Sequence, residues 1–162
     1  YMPMSAVMVG DRVANRLIAD GGEFYHGFTY SGHPVSAAVA LANLDIIERE
    51  NLVERVRDDT GPYFAAALAS LADHRLVGEV RSFGLLAAIE LVKSKDGPVM
   101  FEDTGTVGSM CRDHAIVDGL MMRAVRDAMI LSPALTYSHQ DIDETVRIAR
   151  AALDATAADL GL

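Results

Sequence analysis

The spacing of apolar and polar positions along the chain changes period several times. Residues 5–9, SAVMV, form a short unbroken apolar run that reads as a fully buried strand, ended by Gly10-Asp11. Asp11 is suited to cap a short helix, RVANRLIAD, which stops at Gly21-Gly22. The loop HGFTYSGHP, residues 26–34, follows, and Pro34 fits a first helical position. From residue 35 to 47 apolar and small residues cover nearly every face, which predicts deep burial. The next stretch, IERENLVERVRDD, is amphipathic, with Leu52, Val53 and Val56 on one side. Together these predict one helix of about 25 residues, long enough to pass between domains and broken by Thr60-Gly61-Pro62.

Past that break, residues 63–73 carry Phe64, Leu68 and Leu71 at helical spacing. Then VGEVRSFGLLAAIELV reads as strand, glycine bend, strand, with KSKDGP as the following turn. Residues 106–118 predict a helix ending at Gly119. LMMRAVRDAMILSPAL predicts two short strands about a turn at Arg126-Asp127. Ser138, with Asp141 three residues on, has the form of a capping box. The last helix carries Ile142, Val146, Ala149 and Leu153 on one face. Residues 1–59 therefore read as the end of an α/β domain with a long interdomain helix, and residues 60–162 as a small α+β domain. A lone buried strand near a terminus implies missing neighbours, so the chain is expected to be a fragment of something longer.

The composition narrows the partners. The 162 residues are 51% hydrophobic and 23% charged, ordinary for a globular protein. A formal net charge of −9 without any basic cluster argues against nucleic acid or an anionic membrane. No apolar run reaches the roughly 20 residues of a membrane span. Cys111 is the single cysteine, which precludes an intrachain disulfide and suits a reducing cytoplasm. It reads as a small buried hydrophobe rather than a nucleophile.

Two places invite chemistry. The loop at 26–34 sets hydroxyls, rings and glycines before a helix start, where unpaired N–H groups and the macrodipole favour an anion. Thr29 and Ser31 could hold such an anion or merely cap the helix. Arg123 could bind a carboxylate through its guanidinium fork or make a surface salt bridge, since Arg126 and Asp127 lie close by. His26 and His33, seven residues apart with no third ligand nearby, make a weak metal site, and none is expected. His33 is expected to help fix the loop. Both lysines, Lys93 and Lys95, sit in one polar turn.

MSAVMVGDRV, HGFTYSGHPVSAAVALANLDIIERE, VRSFGLLAAIELV and GLMMRAVRDAMILSPALT occur in this order and at about this spacing in class III aminotransferases, and essentially the whole chain resembles them. The most specific segments are FTYSGHP and RAVRDAMILSPAL, and the ω-amino acid and amine:pyruvate enzymes are the most similar group. The resemblance implies the C-terminal part of the aspartate-aminotransferase-like fold, fold type I of the pyridoxal 5'-phosphate enzymes. In that fold, the end of a large α/β domain is joined to a small α+β domain. It implies transfer of an amino group from an amine or ω-amino acid to pyruvate or a similar keto acid.

It implies further that Thr29 holds the cofactor phosphate across the interface of a homodimer. Phe28 would line both cofactor and substrate, and Arg123 would bind the substrate carboxylate. The Schiff-base lysine is expected just upstream of Tyr1, in a part that would have to join this chain to make a working enzyme. Tyr1 itself would support that lysine. Other class III activities remain open, a 4-aminobutyrate aminotransferase or an aminomutase, as does a non-catalytic dimerisation module.

Overall fold

A computed structural model describes residues 2–21, 23–97 and 99–162. The chain divides into two compact units between Glu50 and Asn51, ahead of the boundary expected after residue 59.

In the first unit, helices α1 (Asp11–Asp20) and α2 (Pro34–Arg49) are joined by the loop and preceded by an extended segment. The strand expected over residues 5–9 does not form. Its backbone finds no ladder partner among the described residues, and Val7 and Met8 are 90% and 94% exposed. A strand exists only where a neighbour takes its N–H and C=O groups. Asp11 is the first residue of α1 rather than its cap; Gly10 holds the cap position. The carboxylate still favours that end through the helix dipole. The deep burial expected for residues 35–47 is absent too: none of α2 is buried, and Val35, Leu41 and Leu44 are more than half exposed. An all-apolar helix needs layers on every side, and this unit offers few.

The single helix of about 25 residues is also divided. α2 ends at Arg49, and Asn51 takes a left-handed φ of 49°. Helix resumes as α3 (Leu52–Arg55) and then runs through the site of the expected break. A π-helical turn, Val56–Thr60, leads directly into α4 (Gly61–Ala69), which closes in a 3-10 turn over Ser70–Asp73. The wide turn accounts for the continuity. Gly61 N–H reaches back to the Val56 carbonyl, five residues away, so the Pro62 ring and its missing donor are absorbed at the start of α4.

The second unit is a two-layer α+β body. β1 (Val77–Phe83) and β2 (Leu86–Leu91) form the expected hairpin. β3 (Arg123–Val125) and β4 (Ala128–Leu131) form another about Arg126-Asp127. β2 pairs antiparallel with β4, giving the order β1-β2-β4-β3. Along β2, Ala87, Ile89 and Leu91 are buried while Leu86, Ala88 and Glu90 are not, the alternation of a sheet covered on one face. The core joins those residues to Phe64 and Leu68 of α4, Cys111 of α5 (Thr106–Val117) and Ile142 and Leu153 of α6 (His139–Asp159). α6 begins with the expected capping box. Asp141 N–H donates to Ser138 Oγ, and Ser138 N–H donates to the Asp141 carboxylate at 2.9 Å. The Ser138 hydroxyl, donating to the Asp141 carboxylate at 2.7 Å, and the Ser138 N–H together hold that carboxyl below its ordinary value. The α6 face that follows buries Ile142, Thr145, Ala149, Ala152 and Leu153.

His74 ties the end of the 3-10 turn to this core. The residue is 9% exposed. Nδ1 accepts from Leu76 N–H at 3.2 Å, and Nε2 lies 3.2 Å from Asp154. Burial lowers its pKa below the ordinary 6.5, and nearby Asp154 only partly opposes this. A histidine kept neutral by the fold binds fewer protons folded than unfolded. Its contribution to stability is therefore complete above pH 6.5 and is lost as pH falls below it. His74→Asn retains an acceptor for Leu76 N–H but cannot titrate. The difference in melting temperature between about pH 7.5 and about pH 5 should be smaller in His74→Asn than in the wild type. An unchanged difference would mean that His74 is not held neutral.

Candidate active site

The loop of the first unit is built around one tight turn. Ser31 N–H donates to the Phe28 carbonyl at 2.9 Å, and Phe28 N–H donates to Ser31 Oγ at 3.1 Å. Thr29 and Tyr30 are left at the tip. Gly32 follows with φ 73°, a left-handed value that favours glycine. His33 is the N-cap of α2, its Nδ1 accepting from Ser36 N–H at 3.4 Å. The cap is therefore made by His33, as a fixer of the loop, and not by Thr29 or Ser31. His26 stands between Phe24 and Phe28, with ring centroids 5.7 and 5.5 Å apart. Among the described residues no cluster of three metal-ligating side chains occurs.

Phe28 and Tyr30 are 75% and 84% exposed and line a cleft of about 540 Å³ shared with Pro3, Met4 and Ser5. Thr29 stands beside that cleft rather than on its wall. Among the described residues, the Thr29 hydroxyl and the N–H groups of Thr29 and Tyr30 have no hydrogen-bond partner. Three unpartnered donors at one exposed turn are the kind of group a phosphate binds. In donor chemistry the loop therefore fits the phosphate of pyridoxal phosphate.

In the second unit Arg123 opens β3, opposite Ile130 of β4. It is exposed on the wall of a cleft of about 530 Å³, with Leu86, Met121, Met122, Ser132 and Tyr137 around it. Among the described residues its guanidinium makes no ion pair or hydrogen bond. Nor is its neighbour Asp127 free to pair with it. Asp127 is 2% exposed, and its two carboxylate oxygens accept from Gly105 N–H and Gly108 N–H, each at 2.9 Å. A cationic fork beside apolar walls, with no internal carboxylate to satisfy it, is suited to an external one.

The role of Asp127 exceeds the turn position read from the sequence. The available signal was the glycine pair at 105 and 108 at a helix start, whose bare N–H groups need an acceptor. Lys93 Nζ lies 3.0 Å from Glu102, and Lys95 Nζ donates to the Ala72 carbonyl at 2.7 Å. Both lysines are exposed, which is the wrong setting for an amine that must be neutral to form a Schiff base. Cys111 is fully buried, and burial pushes its thiol up to about 11, against a smaller opposing effect of a hydrogen bond with Thr156. It is a core residue, not a nucleophile. The supporting part considered for Tyr1 lies outside the described residues.

Comparison with known proteins adds to this geometry. Residues 2–153 match the family model of class-III aminotransferases. The chain is 51% identical over 158 residues to the putrescine–pyruvate aminotransferase of Pseudomonas aeruginosa, covering 98% of this chain and 34% of that protein. It is 35% identical over 159 residues to the mitochondrial gamma aminobutyrate transaminase 1 of Solanum lycopersicum, covering 96% and 31%. Its backbone is similar to the omega transaminase of Pseudomonas jessenii in complex with PMP, with a TM-score of 0.82 and 40% identity over 92% of this chain and 32% of that one. The chain thus spans about a third of the length of the relatives it matches. With the family model matched over nearly its whole length and the fold type I structures matched at this level, the chain belongs to the class III aminotransferase family.

Proposed function

We propose that the chain is the C-terminal part of a pyridoxal-phosphate-dependent transaminase that moves an amino group from an amine or ω-amino acid to pyruvate or a similar keto acid. The observation that carries this reading is Arg123, an unpaired guanidinium on an apolar-walled cleft. The relative at 51% identity acts on putrescine and pyruvate by its name, which favours an amine donor over 4-aminobutyrate, named for the relative at 35%. When bound, the cofactor supplies an electron sink for the carbon that carries the amino group. Thr29 and the N–H groups at the turn tip hold its phosphate, and Phe28 gives an apolar wall beside it. In a homodimer the turn serves the neighbouring subunit's site. Arg123 orients the keto acid by two parallel charge-assisted bonds and stands aside for an amine without a carboxylate. The covalent lysine is neither Lys93 nor Lys95, because both are tied to other groups at the surface; this chain therefore needs the remainder of the enzyme for activity. The buried thiol of Cys111 suits a cytoplasmic setting, and among the described residues no helix is long and apolar enough to cross a membrane.

Thr29→Val in the full-length enzyme removes one donor to a phosphate without changing shape. Such a bond is worth about 1.5–3 kcal/mol, so cofactor affinity should fall roughly ten- to a hundredfold. In a mixed dimer with a lysine-dead subunit, one site should carry both lesions and the other neither. Borohydride reduction of the wild type, followed by peptide mapping, should leave Lys93 and Lys95 unlabelled. Cofactor dissociation equal to wild type in Thr29→Val would remove the clamp, and label on either lysine would remove the need for another.

Arg123→Ala should slow the keto-acid half-reaction roughly ten- to a hundredfold in kcat/KM and leave the amine half-reaction near wild type. Arg123→Lys should rescue poorly, since an ammonium lacks the fork. Stopped-flow traces of each half-reaction separate the outcomes. Equal losses toward both substrates would make Arg123 a structural residue.

A further inference from the structure

We propose that Asp127 is a positioning residue for the substrate carboxylate, acting through the β3–β4 hairpin that carries Arg123; this rests on the reading of Arg123 given above. β3 is three residues long and lies at the edge of the sheet, paired on one side only, with β4. So short an edge strand has few bonds of its own to fix the direction of a side chain. Its ends supply the constraint. Before Arg123, Met122 is 2% exposed and sits in the core. After Val125, the turn is held by Asp127.

Three bonds converge on Asp127. Its carbonyl accepts from Leu91 N–H of β2 at 2.9 Å, and its carboxylate accepts from Gly105 and Gly108 N–H groups at the start of α5. A carboxylate at the positive end of a helix gains from the dipole as well as from the two bonds. The glycines make the approach possible. A Cβ at Gly108 would overlap the Arg126 carbonyl oxygen, and Gly105 has φ 96°. Arg126 itself is held at φ 55°, a left-handed value that a non-glycine residue keeps only where its surroundings impose it. The hairpin is therefore seated in a groove shaped for it at one end and sunk in the core at the other. Arg123 lies between the two anchors, facing the cleft. An arginine that must accept a carboxylate in one half-reaction and leave the space to an amine in the other needs a fixed backbone from which to move.

The test uses the full-length enzyme loaded with cofactor. Asp127→Asn keeps the size and one acceptor but turns an NH2 group toward the second N–H. Amine and pyruvate half-reactions are measured for wild type, Asp127→Asn, Arg123→Ala and the double variant, with folding checked by circular dichroism. Asp127→Asn should lower kcat/KM for pyruvate about tenfold, through KM more than through kcat, and leave the amine half-reaction within about twofold. In the Arg123→Ala background it should cost pyruvate nothing further, because the residue it positions is gone. Should Asp127→Asn fail to fold, Asp127→Ser keeps a short acceptor without opposing donors and should give the same pattern. Equal losses in both half-reactions, or an undiminished loss when Arg123 is already Ala, would overturn the proposal and leave Asp127 as a support of the fold. If Arg123→Ala alone spares pyruvate, the carboxylate reading of Arg123 is what fails, and the positioning proposal falls with it.

Discussion

The second unit depends on one buried carboxylate meeting the start of one helix. Asp127 puts both its oxygens on N–H groups at the start of α5, and its carbonyl on β2, so a single residue joins helix, hairpin and sheet. Burying a charge is costly unless it is fully hydrogen-bonded. Here the compensation comes from donors that would otherwise also be unsatisfied, since the first N–H groups of a helix have no partner within it. Each group resolves the other's deficit. The arrangement demands glycine at 105 and 108 and a left-handed Arg126, and all three local peculiarities of the sequence serve this one contact. The apolar body beneath, with Phe64, Leu68, Met129, Ile142 and Leu153, supplies most of the free energy. Asp127 decides where the hairpin lies on it.

The first unit is governed by a different constraint. Its helix α2 is apolar or small on nearly every face over residues 35–47 and yet carries no buried residue, and the extended segment before α1 has no ladder partner among the described residues. What gives the unit shape is local: the Phe28–Ser31 turn, Gly32 and the His33 cap. That set of short-range bonds keeps Thr29 at the tip, where its donors have no partner among the described residues. The phosphate clamp proposed for this loop would need no tertiary core to form, only a turn that holds its shape.

Elements whose partners lie close in sequence were legible from the pattern alone. The β1–β2 hairpin, the two strands about Arg126-Asp127 and the Ser138–Asp141 box all follow from period and turn chemistry within a few residues. Elements that depend on distant or absent neighbours were not. Residues 5–9 have the composition of a strand but no ladder, and residues 35–47 have the composition of a core helix but no cover. The expected break at Thr60-Gly61-Pro62 erred for another reason: a π-helical turn takes up the proline, and composition carries no signal for one. Thr29 and Arg123 were singled out by the motifs around them, with helix-capping and salt-bridge alternatives left open. What removes those alternatives are contacts made by other residues, His33 at the helix start and Asp127 at α5. The second of these spans 19 residues of sequence, beyond the reach of any local pattern.

The most direct test of the central claim, that a hairpin anchored by Asp127 presents Arg123 to a substrate carboxylate, is a crystal structure of the full-length enzyme with cofactor and a small unreactive carboxylate bound. The account predicts the Arg123 guanidinium making two bonds to that carboxylate at about 2.7–2.9 Å, with Asp127 still on the Gly105 and Gly108 N–H groups. A carboxylate held by other residues while Arg123 faces solvent, or a released Asp127 with Arg123 unmoved, would contradict it.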